Sequence, residues 1–298
     1  MEAIRKRLIH MHLCRGITRT TIHRFFQHDS TLETIYRLSS SELRKSFSIS
    51  LRNAKLFYMD LHSLSTQEQT TLNLTRFAVI TIIDRNYPDI LKRIKDPPLV
   101  LYAQGDRSLL LDSPALSVIG TRNPSYEAMR KMELIVRPII ENNWVIVSGM
   151  AKGIDRYAHE LSLAYSGKTI AVLGGGFHHI YPKQNIGIFH EITKRGLVLS
   201  EYPPNMPPAR YHFPERNRII SGLSFGTLVI EATERSGTMI TVDQALDQGR
   251  EVYAVPGSPL LPQTKGCHQM IQDGAKLVFE AEDILEDWHH IGENLFYS

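Results

Sequence analysis

Arg216 and Arg218 stand near the start of a helix that the sequence predicts across Tyr211–Ser224, where Tyr211-His212-Phe213-Pro214 leads into Glu215-Arg216-Asn217-Arg218. Pro214 suits a first helical turn, and Ile219, Ile220 and Leu223 give the helix an apolar face. The unpaired amides at such a start carry partial positive charge beside the two guanidinium groups, which is the chemistry of anion binding. A phosphate backbone is the guest that fits. Two arginines alone are as readily a solvated helix face or structural ion pairs, so the other phosphate-holding groups decide between these.

Those groups recur along the chain. Gly120-Thr121-Arg122 closes one predicted strand and opens a helix predicted from Pro124 to Asn142, so amides, a hydroxyl and a guanidinium can converge there. Ser148-Gly149-Met150-Ala151-Lys152-Gly153-Ile154-Asp155 repeats the arrangement at the next strand, followed by Ala158 and His159, which are expected to pack. Tyr181-Pro182-Lys183-Gln184-Asn185 sets a cation and an amide in a turn before a further helix, and Ser236-Gly237-Thr238 forms another small polar turn. Phe177, Tyr181, Tyr202, Tyr211 and Phe213 supply aromatic faces near these turns, the partners on which unpaired bases stack.

The elements that must position these turns follow from the apolar patterning. From Ile4 to about Leu74 apolar residues recur at helical spacing, which predicts a small all-helical domain over residues 1–75. Short β-branched runs then predict strands at Ala78–Ile83, Leu99–Tyr102, Leu116–Ile119, Trp144–Val147, Thr169–Leu173, Leu197–Leu199, Thr227–Ile230, Val252–Val255 and Lys276–Phe279. Amphipathic segments separate them from Leu116 onward, the rhythm of right-handed βαβ crossovers. The predicted fold class is therefore α/β, an extended Rossmann-like, mostly parallel doubly wound sheet over residues 76–286, with 287–298 as a tail. All carboxyl ends of a parallel sheet share one edge, so the polar turns should converge on one cleft.

Charge is unevenly spread. Residues 1 to 76 hold 12 Lys/Arg against 6 Asp/Glu, which leaves 22 of the 34 Lys/Arg against 25 of the 31 Asp/Glu elsewhere. A nucleic-acid site on the larger part must therefore be a local patch rather than a global field.

Several other chemistries fail on spacing. Gly167-Lys168-Thr169 precedes its strand and lacks the first P-loop glycine, and His179 stands where a third dinucleotide-fingerprint glycine belongs. His159-Glu160 and His190-Glu191 lack the second histidine of a zinc-protease helix, since Leu163 and Lys194 fill that position. Cys14 and Cys267 are too few and too distant for a disulfide framework. No secretory leader or membrane span is evident, so the expectation is a cytoplasmic protein without membrane insertion, metal or cofactor, and without catalytic residues.

The motifs occur together and in order. Gly120-Thr121-Arg122-Asn123-Pro124, Ser148-Gly149-x-Ala151-x-Gly153-Ile154-Asp155, Tyr181-Pro182-x-x-Asn185, Ser200-Glu201-x-Pro203, Phe213-Pro214-x-Arg216-Asn217-Arg218-Ile219-Ile220-Ser221-Gly222, Glu231-Ala232 with Ser236-Gly237-Thr238, and Val255-Pro256-Gly257 make up the run. Over about residues 76 to 280 the chain closely resembles the DNA processing protein A family, also called Smf. The resemblance implies a non-catalytic homodimer that binds single-stranded DNA, loads the RecA recombinase onto strands taken up in natural transformation and relieves the block imposed by single-strand-binding protein. It carries DNA contact to Arg122 and Lys183, and to the Arg216-Asn217-Arg218 run and the Ser236-Gly237-Thr238 turn. With the residue chemistry above, the expected DNA-binding set is Gly120, Thr121, Arg122, Ser148, Gly149, Lys152, Lys183, Asn185, Arg216, Asn217, Arg218, Ser236, Gly237 and Thr238. The helical N-terminus resembles the family's accessory domain, of helix-hairpin-helix or SAM-like type. The competing class is a nucleotide-acting, Rossmann-like enzyme of the phosphoribohydrolase type, which Gly237-Thr238 with Glu231 nearby faintly resembles.

Overall fold

The computed structural model describes residues 2–111 and 114–292. The chain divides into two compact units, Met1–Tyr87 with Pro98–Tyr102, and Pro88–Pro97 with Ala103–Ser298.

The first unit contains α1 (Glu2–Leu13), α2 (Arg19–His28), α3 (Ser40–Phe47), α4 (Leu51–Leu61) and α5 (Leu64–Arg76), then β1 (Ala78–Thr81). Thr18 and Ser39 each close a capping box, satisfying amides at the starts of α2 and α3. Phe25 anchors the core, with its ring centroid 4.6 Å from Phe47 and 5.3 Å from Phe57. Gly16 has φ +80°, and a Cβ there would lie 2.2 Å from the Asn53 carbonyl oxygen, so the α1–α2 turn requires glycine.

α6 (Asp89–Lys92) and β2 (Val100–Gly105) lead into the second unit's repeat. That repeat runs β3 (Ala115–Ile119), α7 (Ala128–Glu141), β4 (Val145–Ser148), α8 (Ile154–Ala164), β5 (Lys168–Leu173), α9 (Ile186–Arg195) and β6 (Leu197–Ser200). It continues with α10 (His212–Gly222), β7 (Gly226–Val229), α11 (Gly237–Asp247), β8 (Glu251–Ala254), α12 (Lys265–Gln272), β9 (Lys276–Leu277) and α13 (Glu282–Asp287). Within this unit the order is β6-β5-β4-β3-β7-β8-β9, with every neighbouring pair parallel. Strands β3, β4 and β6 are buried at every position, as continuous apolar runs covered on both faces should be.

Sequential strands β3 to β6 build outward in one direction and β7 to β9 in the other. β3 and β7 are therefore neighbours at the topological switch point, with Ser117 opposite Thr227 and their hydroxyls 2.7 Å apart. One face of the sheet is covered by Met132, Ile135, Val136 and Ile139 of α7 and by Ile154, Ala158 and Leu161 of α8. α10 and α11 pack together, and α10 also lies against β5.

Strand and helix ends shift by up to about three residues from the sequence expectation, and two larger differences have a physical cause. α7 begins at Ala128 rather than Pro124, because Ser125 is held outside the helix: its amide and hydroxyl both donate to the Glu231 carboxylate. Asp287–Gly292, expected to begin a tail, instead complete α13 and a following π turn. Trp288 is buried there against Trp144 and Phe225, at ring-centroid distances of 5.2 and 5.3 Å. The rest of the expected tail, 293–298, lies outside the described residues.

Candidate nucleic-acid interface

The polar turns meet at the carboxyl edge, around the gap between β3 and β7. Gly120 lies so close to Ile154 and the Glu231 carbonyl oxygen that a Cβ would sit 2.7 and 2.8 Å from them. The Thr121 amide donates to the Glu231 carbonyl oxygen at 2.7 Å, and the Ile154 amide donates to the Thr121 carbonyl oxygen at 3.2 Å. These bonds tie the turns after β3, β4 and β7 together, so the Arg122 side chain projects from a fixed base. They also use the Thr121 amide internally, which removes it from the donors expected for a phosphate.

A cavity of about 610 Å³ opens between these turns, lined by Gly120, Thr121, Arg122 and Asn123 from the β3 turn and by Ser236, Gly237 and Thr238 from the start of α11. Arg210, Phe213, Arg216 and Asn217 close it from the α10 side. A second cavity of about 270 Å³ adjoins it and shares Arg122, Tyr181, Phe213 and Arg216, adding Lys152 and Gly174. The start of α11 offers amides without a side-chain cap, and Gly237 has open space above it. Among the described residues Asp155 is the one carboxylate in these linings, in the larger cavity.

The cationic groups fall into two sets. Arg122, Lys152, Lys183 and Arg210 are exposed, and none of their side chains makes a hydrogen bond or ion pair with another described residue. Arg122, Lys152 and Arg210 line the cavities, while Lys183 follows Pro182 at the rim. Arg216 and Arg218 are only 5% exposed. Nη1 of Arg216 donates to the Val172 carbonyl oxygen and Nε to Asn217 Oδ1 at 3.0 Å. Nη2 of Arg218 straddles the Glu201 carboxylate at 2.6 and 2.7 Å.

The anion site expected from these two arginines is therefore corrected. Arg216 forms part of the cavity wall, with its charge turned to the sheet, and Arg218 is spent on an internal ion pair. Asn217 lines the cavity but already accepts from Arg216.

Three further expected contacts are also internal. The Ser148 hydroxyl donates to the Val118 carbonyl oxygen at 2.7 Å, tying β4 to β3. Gly149 is buried where a Cβ would strike both Arg216 and Asp155, so its role is to admit that pair. Asn185 is fully buried, and its amide donates to the carbonyl oxygens of Met150 and Ala151 at 2.8 and 3.0 Å. Of the aromatic faces, Phe177 and Tyr202 are buried, whereas Tyr181 and Tyr211 are 55% and 66% exposed.

Burial sets the ionisation of the floor. Desolvation pushes the Asp155 carboxyl above its ordinary range, opposed by the charges of Arg216 and Arg122. Desolvation likewise lowers Arg216, opposed by Asp155. His159 packs beneath the β4 turn, and burial brings its imidazole down to about 4, so it is neutral at pH 7. Its Nε2 lies 2.6 Å from the Gly149 carbonyl oxygen, which fixes the proton on that nitrogen.

Glu231, the acid that an enzyme of the phosphoribohydrolase type would need, is fully buried and does not line the cavity. Its side chain is consumed by Ser125 and by Lys131 Nζ at 3.0 Å.

Sequence reasoning missed Arg210 and Asn123. Arg210 follows the proline-rich stretch Pro203–Pro208 and precedes α10, and a cation just outside a helix start was the available signal.

Comparison with known proteins agrees with this architecture. Residues 78–289 match the family described as DNA recombination-mediator protein A. The chain is 47% identical over 208 residues to the DNA processing protein DprA of Bacillus subtilis, covering 70% of each chain. It is 45% identical over 213 residues to that of Streptococcus pneumoniae, covering 72% of this chain and 75% of the relative. Among solved structures, DNA processing protein A from Streptococcus pneumoniae superposes with a TM-score of 0.84 at 37% identity, covering 94% of this chain and 97% of that one. DNA processing protein A from Helicobacter pylori, in a structure describing its single-stranded DNA binding mode, gives a TM-score of 0.65 at 28% identity, covering 72% of this chain and 96% of that one.

Proposed function

This chain belongs to the DNA recombination-mediator protein A family, and from that premise we propose that it is a DNA-processing protein that grips single-stranded DNA without chemistry on it. The single observation that carries the reading is the set of four exposed, internally unpaired cations, Arg122, Lys152, Lys183 and Arg210, around a cleft with one buried carboxylate. Each cation neutralises a phosphate, and the amides of Gly237 and Thr238 with the Thr121 hydroxyl add donors. A single strand exposes its bases to the aromatic rim, whereas a duplex keeps them stacked and paired. The single-strand binding described for the Helicobacter pylori relative supports this. No helix among the described residues is long and apolar enough to cross a membrane.

In this proposal the strand held in the cleft is handed to the RecA recombinase and cleared of single-strand-binding protein, in the cytoplasm of a cell taking up DNA. A homodimer places two cleft sites on one body, and the second engagement gains from effective concentration. The test is recombinase filament nucleation on a strand coated with single-strand-binding protein. Adding the chain is expected to shorten the lag several-fold. An unchanged lag alongside tight strand binding would remove the loading role.

A further inference from the structure

Beside its free cation, each of three rim loops carries one tyrosine open to solvent. Tyr126 is 86% exposed four residues after Arg122, Tyr211 is 66% exposed next to Arg210, and Tyr181 is 55% exposed two residues before Lys183. Among the described residues these are the three most exposed tyrosines; Tyr58 and Tyr165 follow at 39% and 37%, each covered by a neighbour. The ring of Tyr58 lies 4.5 Å from that of His62, and Arg137 sits 4.6 Å over the ring of Tyr165.

The rim tyrosines are steadied on one side only. Tyr181 leans on Phe213 with ring centroids 5.7 Å apart, and Tyr211 meets His212 edge-on at 4.5 Å. Tyr126 is held by its hydroxyl, which donates to Glu127 at 3.2 Å. Tyr181 lines both cavities, and Tyr126 and Tyr211 stand on loops whose Arg122 and Arg210 line them, so each ring offers an open face beside a cation.

We propose that Tyr126, Tyr181 and Tyr211 are stacking platforms for unpaired bases, with the cation of the same loop holding the adjoining phosphate. The inference rests on the single-strand reading and deepens it by naming the three rings that take the bases and the cation paired with each. Every base has a π face, so the platforms favour unpaired polynucleotide without favouring one sequence.

The experiment compares binding of an oligothymidine with that of an abasic sugar-phosphate strand of equal length and charge, using the full chain. The intact strand is expected to bind roughly 10- to 100-fold more tightly. Replacing each tyrosine by alanine should weaken intact-strand binding by roughly fivefold or more and leave abasic binding unchanged, while the phenylalanine variant keeps the affinity. Because the rings are exposed, melting temperatures should hold in all six variants. Equal affinity for intact and abasic strands, or alanine variants that bind the intact strand like the parent, would overturn the platforms. Failure of both strands to bind would overturn the single-strand reading itself and the platforms with it.

Discussion

Replacing Arg122 by alanine is expected to weaken single-strand binding roughly 10- to 100-fold, the loss of one charge-assisted phosphate contact, and to do so for all sequences alike. The slope of log affinity against log salt should become shallower by about 0.7, because one fewer counterion is released per strand bound. Folding should be untouched. The side chain is exposed and unpaired, and the bonds that fix its loop run through the Thr121 backbone. Dissociation constants at several salt concentrations, with a melting curve, check all three statements. Unchanged affinity and slope would remove Arg122 from the interface.

Removing the partner of Arg218 should do the reverse. Glu201→Ala leaves a guanidinium that is 5% exposed facing a methyl group, with Asp96 at 3.8 Å as its remaining ion-pair partner. Nε and Nη1 of Arg218 already lack hydrogen bonds. Breaking one side of such a pair costs about 3 to 5 kcal/mol, which at roughly 2–4 °C per kcal/mol lowers the melting temperature by on the order of 10 °C. Strand affinity of the folded fraction should remain close to that of the parent, because neither Glu201 nor Arg218 lines the cleft. A double Glu201→Leu, Arg218→Met variant should recover most of the loss, since two apolar groups of similar volume leave no buried charge. Denaturant unfolding measures both; a Glu201→Ala chain as stable as the parent would contradict the ion pair.

The contrast between Arg122 and Arg218 marks where the sequence stops being legible. The strands from β1 to β9 were all readable to within about three residues at each end, because a β-branched run bounded by turn residues is a local signal. Convergence of the turns was readable too, since parallel strands share one carboxyl edge. The strand order was not, because neighbours such as Ser117 and Thr227 lie more than one hundred residues apart.

Which cations face solvent was legible only in part. Arg216 lies three, four and seven residues before Ile219, Ile220 and Leu223, on the buried stripe of α10, so helical periodicity already placed it inward. Arg218 gives no such warning. Its burial depends on Glu201, a residue on the loop after a different strand, and only tertiary structure brings the two together. Trp288 was misplaced for the same reason: a lone tryptophan beside His289 and His290 has no periodic neighbours, and its partners Trp144 and Phe225 come from distant turns.

The rim of free cations and open aromatic rings is proposed to grip an unpaired strand. Its most direct test is the dissociation constant of the full chain for a single strand and for the matching duplex, across a range of salt. Binding to the single strand is expected to be tighter at every salt concentration, with a slope of about −3 as four cations each release counterions. Equal affinity for strand and duplex, or single-strand binding indifferent to salt, would contradict it.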